Sequence, residues 1–365
     1  MLKIGIVGLP NVGKSTLFNA LTKQEVLVAN YPFATIDPSV GIVPVPDERL
    51  DALAKLSASE KVVPAVVEFV DIAGLVKGAS EGEGLGNQFL THIREVDAIL
   101  EMVRFFDDPD ITHVHGDVDP VRDIEIINLE LVLADREQVE KRIERLTRDV
   151  KAGNKDAIAE HAVLVKVSEA LAQGKMARTA NLTTEELPRV RALNLLTMKP
   201  FLYAFNGKAG GHNIHEMGDD RANRAYELVE SLGGRYVHVD AHTERELNDV
   251  AEGDQEVFRQ EFGVQVNGLT DLIQKAYETL GLITFFTTGP KESRAWTVVK
   301  GSTAPIAGAA IHNDFKDKFI RAEVVAAADL LSAGSYPAAR DKGQVRTEGK
   351  EYVVKDGDVM VFLHS

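Results

Sequence analysis

The residues GLPNVGKST, from Gly8 to Thr16, constrain the fold of this chain more than any other stretch. They follow the apolar run LKIGIVG and precede LFNALT, which predicts a strand, a glycine-rich turn and a helix in that order. The pattern GxxxxGK[ST] with these flanks is typical of a phosphate-binding loop. Gly8 and Gly13 let backbone amides approach phosphate oxygens at a helix N-terminus, where negative charge is favoured. The stretch therefore predicts nucleotide binding.

Two side chains of this loop have specific predicted roles. Lys14 would reach the β and γ phosphates, and Ser15 would place its hydroxyl on Mg²⁺. Thr16 more readily starts the helix. The residues of the loop that we expect to contact the nucleotide are Asn11, Val12, Gly13, Lys14, Ser15 and Thr16.

Composition limits the classes of protein to which the chain can belong. At 365 residues it is long enough for two or three domains, and it has no cysteine, which excludes disulfides and thiolate metal sites. No apolar run is long enough to span a bilayer and no export segment precedes the first strand, so we expect a soluble, cytoplasmic protein. The formal charge of −15 argues against broad non-specific binding to nucleic acid, and no DNA partner is expected. Residues 128–197 and 281–365 are nearly neutral, so any contact with RNA is expected there.

Two later stretches fit the switch segments of a phosphate-loop protein. Thr35 lies in a proline-rich loop, NYPFATIDPSVGIVPVP, that leads into a predicted edge strand, and such a threonine can bind Mg²⁺ and sense the γ-phosphate. The apolar run VVEFVDIAGL ends in DxxG, which predicts Asp71 as a second Mg²⁺ ligand and Gly74 as the amide that meets the γ-phosphate. GTPases of the Ras type have a glutamine after this glycine, but here Leu75 cannot hydrogen-bond to the attacking water. We therefore expect slow intrinsic hydrolysis.

The base-recognition turn departs from the GTPase pattern. After the buried run PFLYAFNGKAGG, the position of NKxD is occupied by Asn206, Gly207, Lys208 and Ala209. The carboxylate that accepts two hydrogen bonds from guanine is missing, so specificity for GTP is doubtful. Asn206 and Gly207 are still predicted to contact the nucleotide, where Asn206 would contact the base or brace the loop. The alternative is a plain Asn-Gly turn.

The rest of the chain predicts two additions to the nucleotide domain. An apolar stripe within 128–197 and a break at Gly153 predict an antiparallel pair of helices. Short strand-like runs and the helical stretch ADLLSAG predict a small mixed domain from residue 281 onward. The predicted domains are thus 1–127 with 198–280, 128–197, and 281–365.

Together these motifs resemble those of the YchF family, the Obg-like ATPases related to translation factors. The resemblance is carried by GLPNVGKST, NYPFATIDP, DIAGLVKGASEGEGLGNQF, THVHGDVDPVRDIEII and the C-terminal AWTVVKG, FIRAEVV and EYVVKDGDVMVF. It implies an α/β fold: a Ras-like phosphate-loop domain, interrupted by a helical coiled coil and followed by an α+β ubiquitin-like TGS domain. It also implies ATP hydrolysis in preference to GTP, binding to the ribosome and its large subunit, and regulation of translation or stress.

The family also implies site residues that the motifs alone do not. Leu75 would be the hydrophobic replacement for the catalytic glutamine, and His113 a flexible residue that assists hydrolysis. Asn11 resembles a position that ligates K⁺ in potassium-stimulated relatives, or it could simply bond its own loop. Family members usually show NxxE at the base-recognition turn, whereas this chain has Ala209 in place of the glutamate.

The sequence therefore predicts a slow, Mg²⁺-dependent nucleotide switch that hydrolyses ATP and possesses some capacity for GTP, in a monomer. Lys14, Gly74, Leu75 and His113 form the predicted catalytic set, while Ser15, Thr35 and Asp71 form the metal set. Two alternatives remain: an Obg-type GTPase of ribosome function, and a ribosome-binding adaptor in which turnover is incidental.

Overall fold

The computed structural model describes residues 2–22, 39–72, 85–108, 110–111, 113, 116–251, 253–261 and 268–364. The described residues form two compact units, one within 1–41 and 69–272 and the other within 42–68 and 273–365. These units divide the chain differently from the predicted domains. Residues 128–197 group with the nucleotide-binding part, and residues 42–68 group with the C-terminal part.

Strands and helices alternate along most of the chain. The described strands are β1 (Lys3–Val7), β2 (Val40–Pro44), β3 (Lys61–Val63), β4 (Val66–Asp71), β5 (Ala98–Arg104), β6 (Phe106–Asp107), β7 (Phe201–Asn206), β8 (His212–Asn213), β9 (Arg235–Val239), β10 (Leu282–Thr287), β11 (Glu292–Val299), β12 (Phe319–Ala326), β13 (Arg346–Glu348) and β14 (Asp358–His364). The described helices are α1 (Lys14–Thr22), α2 (Glu48–Leu56), α3 (Leu85–Glu95), α4 (Pro120–Lys151), α5 (Lys155–Ala172), α6 (Leu187–Arg191), α7 (Asp220–Ser231), α8 (Ala241–Leu247), α9 (Gln255–Glu261), α10 (Gly268–Thr279), α11 (Ala304–Ile311), α12 (Asn313–Asp317), α13 (Ala327–Ala333) and α14 (Tyr336–Asp341). Of these helices, none is both long and apolar enough to cross a membrane.

A six-stranded sheet with the order β2-β4-β1-β5-β7-β9 carries the nucleotide-binding part. β1 runs parallel to β5, β5 to β7, and β7 to β9. Every residue of β5 and β7 is buried, because parallel strands are covered on both faces and need continuous apolar runs. The strand predicted before the phosphate loop is confirmed as β1, the predicted buried run PFLYAFN forms β7, and the predicted edge strand is β2. The parallel arrangement brings the loops after β1, β7 and β9 to one edge of the sheet.

Helices α4 and α5 pack side by side along one buried apolar cluster. Val132, Val139 and Leu146 of α4 lie in this cluster with Val163, Leu164, Val167 and Leu171 of α5. The side chain of Asp119 caps the start of α4 by accepting from two backbone amides, and Asn154 caps α5 in the same way. Between the helices Gly153 has a φ of +80°, a conformation that glycine adopts without steric cost.

Asp135 fixes α4 to residues 196–197, which precede strand β7. Its carboxylate is fully buried and accepts from the amides of Leu196 (2.9 Å) and Thr197 (2.8 Å) and from the Thr197 hydroxyl (2.7 Å). Burial raises the pKa of Asp135, although these hydrogen bonds oppose the shift. The Arg94 guanidinium lies 3.6 Å from the same carboxylate.

The second unit contains a mixed six-stranded sheet with the order β13-β12-β14-β10-β11-β3. Its core includes Phe285, Val324 and Met360, and the partly buried Trp296 packs against it. β3 was not predicted: residues 61–63 pair in parallel with β11, although more than two hundred residues separate them. α2 was also missed, even though Asp47 forms an N-terminal cap there.

We expect Asp135→Ala to lower the free energy of unfolding by about 2–4 kcal/mol, because three buried donors would lose their acceptor. Asp149→Ala, an exposed carboxylate on the same helix, should change it by less than about 0.5 kcal/mol. Urea denaturation of the full chain measures both, and hydrogen exchange at Leu196 and Thr197 localises the effect. Equal stability of the two variants would show that Asp135 does not fix the helix.

Candidate nucleotide-binding site

Close packing around the phosphate loop explains its two glycines. A Cβ on Gly8 would lie 2.6 Å from the carbonyl oxygen of Met102, so no larger residue fits. Gly13 has a φ of +101°, and a Cβ there would lie 2.6 Å from Nδ2 of Asn206. Asn11 adopts a left-handed conformation with φ of +62°, which asparagine tolerates better than most residues.

Lys14 begins α1 and turns back over the loop. Its Nζ donates to the carbonyl oxygens of Gly8 (3.0 Å) and Leu9 (2.8 Å). Burial lowers the pKa of Lys14 to about 8, and the negative charge of Asp71 partly opposes this shift. A partly buried ammonium that donates to two carbonyl oxygens beside one carboxylate is well suited to exchange those contacts for phosphate oxygens.

Asp71 ends β4 beside the same lysine. Burial raises the pKa of Asp71, while the Lys14 charge and a hydrogen bond with the Ser15 side chain oppose the shift. A hydroxyl and a carboxylate oxygen thus lie together next to the loop. They suit Mg²⁺, which takes oxygen ligands and typically binds through one or two protein groups plus phosphates and water. Within the described residues no group of three acidic or histidine side chains could chelate a metal instead.

A cavity of about 350 Å³ lies beside the phosphate loop. It is lined by Asn11, Val12, Gly13, Thr16, Phe106, Ile111, Asn206, Gly207, Lys208, Ala241 and His242. The structure therefore brings together six of the predicted nucleotide-binding residues, from two loops almost two hundred positions apart. The described lining contains no aspartate or glutamate. The Lys208 ammonium is paired with Asp108.

Asn206 braces the wall of this cavity. Its Nδ2 donates to the carbonyl oxygen of Val12 (2.9 Å), and its Oδ1 accepts from the amide of Ala241 (3.1 Å). The side chain is buried and joins the phosphate loop to the start of α8. Asn206 thus makes the bracing contacts that the sequence allowed, and its contact with the base stays a prediction.

Asp240 holds the base-recognition turn against α8, a role that the sequence analysis missed. Its carboxylate accepts from the amides of Ala209 (2.6 Å), His242 (3.1 Å) and Thr243 (3.0 Å), and from the Thr243 hydroxyl (2.7 Å). An aspartate directly before a predicted helix is a capping signal and could have identified the last three contacts. The contact with Ala209 joins two loops that are 31 residues apart in the sequence, and no local sequence pattern predicts it.

His113 lies outside this cavity in the described conformation. Its Nε2 is 2.9 Å from Oδ2 of Asp123 in α4, and both side chains are almost completely buried. It lines a neighbouring cavity of about 460 Å³, and Ile111 lines both cavities. Glu101 is fully buried near Asp123. Its burial and the negative charge of Asp123 raise the pKa of Glu101 well above the usual range. The role of His113 in hydrolysis stays a prediction.

The remaining predicted residues, Thr35, Gly74 and Leu75, lie outside the described residues. The structure therefore places Lys14, Ser15 and Asp71 together, and the roles of the two switch segments stay predictions.

Comparison with known proteins gives close relatives over the whole chain. The chain is 51% identical to the ribosome-binding ATPase YchF of Bacillus subtilis and 47% identical to that of Escherichia coli O157:H7, in each case over 99% of this chain and 98% of the relative. The solved structure of the Schizosaccharomyces pombe YchF GTPase superposes with a TM-score of 0.87 at 39% identity, covering 99% of this chain and 97% of that one.

Two family profiles match separate parts of the chain. Residues 3–147 match a family described as 50S ribosome-binding GTPase, and residues 282–365 match the YchF-GTPase C-terminal family, described as a protein of unknown function. The curated relatives are named ATPases and the solved relative a GTPase, so the names differ on the nucleotide. Identity near one half along the full length, together with the shared structure, shows that this chain belongs to the YchF family.

Proposed function

We propose that the chain is a Mg²⁺-dependent nucleoside triphosphatase that hydrolyses ATP and acts as a slow switch on the ribosome. The main support for ATP is that the described lining of the cavity beside the phosphate loop contains no carboxylate. Guanine presents N–H donors that GTPases satisfy with an aspartate, and leaving those donors unpaired on a buried base costs affinity. The names of the curated relatives agree with ATP and supply the ribosome as partner.

Asp240 does not replace the missing carboxylate in this proposal. Its two oxygens already accept four hydrogen bonds, from Ala209, His242 and two groups of Thr243. A carboxylate has about four lone-pair sites, so Asp240 has no capacity left for guanine. Asn206 is committed to Val12 and Ala241 in a similar way. Adenine would then be accepted through shape and backbone groups, with weaker use of GTP.

The chemistry of the site is positioning and charge stabilisation. Lys14 would exchange its contacts with Gly8 and Leu9 for phosphate oxygens, and Ser15 and Asp71 would hold Mg²⁺, with Thr35 completing the metal site. The metal would neutralise charge that develops on the phosphates. An in-line water attacks without a covalent intermediate, and the loop amides hold the phosphates in position.

Four residues have further roles in the proposed switch. Gly74 would sense the γ-phosphate, and Leu75 would leave the attacking water without a side-chain partner, which makes hydrolysis slow. His113 would assist only after it leaves Asp123, to which it is paired in the described conformation. Asn11 would ligate K⁺.

We further propose the domain arrangement that the family implies. Helices α4 and α5 would form an antiparallel coiled coil inserted into a Ras-like domain, and the C-terminal part would be a ubiquitin-like TGS domain. The protein would act as a cytoplasmic monomer on the large ribosomal subunit, in translation or stress regulation. The competing functions are an Obg-type GTPase, which the name of the Schizosaccharomyces pombe relative favours, and an adaptor with incidental turnover.

We expect purified protein with Mg²⁺ to bind ATP at least about tenfold more tightly than GTP, a difference of about 1.4 kcal/mol. Calorimetric titration with both nucleotides measures this, with the non-hydrolysable analogue of each as the control for turnover. A preference for GTP would show that guanine finds an acceptor that the cavity lining does not reveal, and the GTPase alternative would then replace the present proposal.

The pKa of Lys14 gives a pH-dependent expectation. Because this pKa is lowered to about 8, the free lysine loses its proton as the pH rises through that value, whereas bound phosphates favour the ammonium. ATP affinity should fall about tenfold between pH 7 and pH 9, and binding at pH 9 should take up close to one proton. Calorimetry in buffers of different ionisation enthalpy measures the uptake. Lys14→Arg, which does not titrate, should show none, and absence of uptake in the native protein would contradict the expectation.

The K⁺ proposal for Asn11 predicts faster ATP hydrolysis in KCl than in NaCl at equal ionic strength. A bound cation would supply positive charge to the transition state in place of an arginine. Steady-state phosphate release measures the two rates, and Asn11→Ala should abolish the difference between them while retaining ATP binding. Equal rates in the two salts for the native protein would remove Asn11 from the metal-binding residues.

A further inference from the structure

Two of the segments that line the nucleotide cavity are residues 207–208, after β7, and residues 241–242, at the start of α8. We call these four residues the base-side wall, because they include the turn at the position of NKxD. Each of their backbone amides already donates to an acceptor of the protein. The pairs are Gly207 with the carbonyl oxygen of Val239 (2.8 Å), Lys208 with Oδ1 of Asn213 (2.9 Å), Ala241 with Oδ1 of Asn206 (3.1 Å) and His242 with Oδ1 of Asp240 (3.1 Å). The base-side wall therefore has no backbone N–H left for a ligand.

The side chains of the base-side wall are committed as well. The Lys208 ammonium is paired with Asp108, and Nε2 of His242 lies 3.3 Å from Oε1 of Glu246. The other two residues of the wall carry no polar side chain. Asn206 beside them donates its Nδ2 to the phosphate loop. The remaining polar side chains of the described lining belong to the phosphate loop and the first turn of α1, where the phosphates are predicted to bind.

Asp240 accounts for the largest share of these commitments. It accepts from the amides of His242 and Thr243, which is the ordinary work of a residue that caps a helix. Serine, threonine and asparagine perform that work equally well. The bond from the Ala209 amide to Oδ2 of Asp240 is not a capping contact, since Ala209 belongs to the turn after β7. Capping α8 therefore does not explain why both oxygens of a carboxylate are used here.

A wall without free N–H groups distinguishes purines by the substituent at position 6. Guanine presents an oxygen there, which accepts hydrogen bonds, whereas adenine presents an amino group, which donates them. A buried oxygen that finds no donor costs affinity. An amino group needs only acceptors, and each carbonyl oxygen has two lone pairs. The amino group at position 2 of guanine is likewise a donor, so it is not affected by a shortage of N–H groups.

We propose that Asp240 is a specificity-determining residue, which makes the cavity reject purines with an oxygen at position 6, whether or not they carry an amino group at position 2. This inference rests on the proposed hydrolysis of ATP and deepens it. Asp240 acts through the backbone, because it withdraws the amides of Ala209 and His242 from the ligand. The missing aspartate of NKxD affects the N–H donors of guanine, whereas Asp240 affects its oxygen.

Four nucleotides separate the two positions of the purine ring. ATP and 2,6-diaminopurine riboside triphosphate share the 6-amino group and differ at position 2, and inosine triphosphate and GTP share the 6-oxygen and differ in the same way. Competition against a fluorescent ATP analogue with Mg²⁺ measures all four affinities. For the native protein, inosine triphosphate should bind as weakly as GTP, and the diaminopurine nucleotide within about threefold of ATP. Inosine triphosphate that binds as tightly as ATP would assign the discrimination to position 2 and overturn the proposal.

The variant Asp240→Ser tests the residue itself. Serine keeps a cap for α8, but its single, shorter side-chain oxygen cannot also hold Ala209. The affinities for GTP and inosine triphosphate, each divided by that for ATP, should rise about tenfold, which is the effect of about one hydrogen bond to the base. The ratio for the diaminopurine nucleotide should stay within about threefold of its native value. A residue that merely supports the fold would not produce this selective gain.

Two further variants complete the test. Asp240→Asn keeps the size of the side chain and presents an N–H group toward Ala209, so it should raise the same two ratios even where the serine variant unfolds. Asp119→Ser is the matched control: it changes the residue that caps α4, removes the same charge and lies outside the described lining of the cavity. It should keep the native ratios. Thermal unfolding confirms that each variant is folded.

The outcomes separate this proposal from the function on which it rests. Native protein that prefers GTP would contradict the proposed use of ATP, whereas the change in the ratios between native and variant still measures the effect of Asp240. Equal changes in all four affinities would show that Asp240 contributes only charge or stability. Unchanged ratios in both Asp240 variants would show that its hydrogen bonds do not affect the choice of base. Either of the last two results would overturn the proposal.

Discussion

The geometry of the candidate site depends on a single buried amide. Asn206 donates to the phosphate loop at Val12 and accepts from the start of α8 at Ala241, so it fixes the distance between the two walls of the cavity. Gly13 allows this because a side chain there would collide with the amide of Asn206. An asparagine offers a donor and an acceptor about 2.3 Å apart on one planar group, which a shorter or acidic side chain cannot reproduce.

Local patterns in the sequence predict those parts of the fold whose stability is local. The strands β1, β5 and β7 lie inside the sheet, and most of their residues are buried and apolar, because a parallel sheet covered on both faces favours such residues. Thr183 and Glu186 have the spacing of a capping box, and both of its bonds form: the Thr183 amide lies 3.0 Å from Oε2 of Glu186, and the Glu186 amide 3.3 Å from Oγ1 of Thr183. In each case the determinants lie within a few residues.

Features that depend on distant partners were not predictable in this way. β3 has three residues, two of them exposed, and is defined by its pairing with β11 rather than by its own pattern. Asp240 is recognisable as a helix cap, but its bond to Ala209 depends on how two loops meet. The pairing of His113 with Asp123 is similar: a histidine in a loop gives no indication of a buried carboxylate ten residues later. Each of these features depends on which distant segments meet in the folded chain. The candidate site is built from contacts of this kind.

Tertiary contacts also fix one end of the helix pair. There polar contacts connect α3, α4 and the segment 194–199. Arg94, at the end of α3, approaches Asp135 of α4 and donates to the carbonyl oxygen of Asn194 (3.3 Å), whose side chain donates back to the Arg94 carbonyl oxygen (3.3 Å). Lys199 donates to that same carbonyl oxygen (3.1 Å). Directional bonds of this kind specify one relative placement, whereas apolar contacts tolerate sliding. α3 begins at Leu85, ten residues after Leu75 of the predicted second switch segment. A displacement of α3 would have to break these bonds or carry α4 with it.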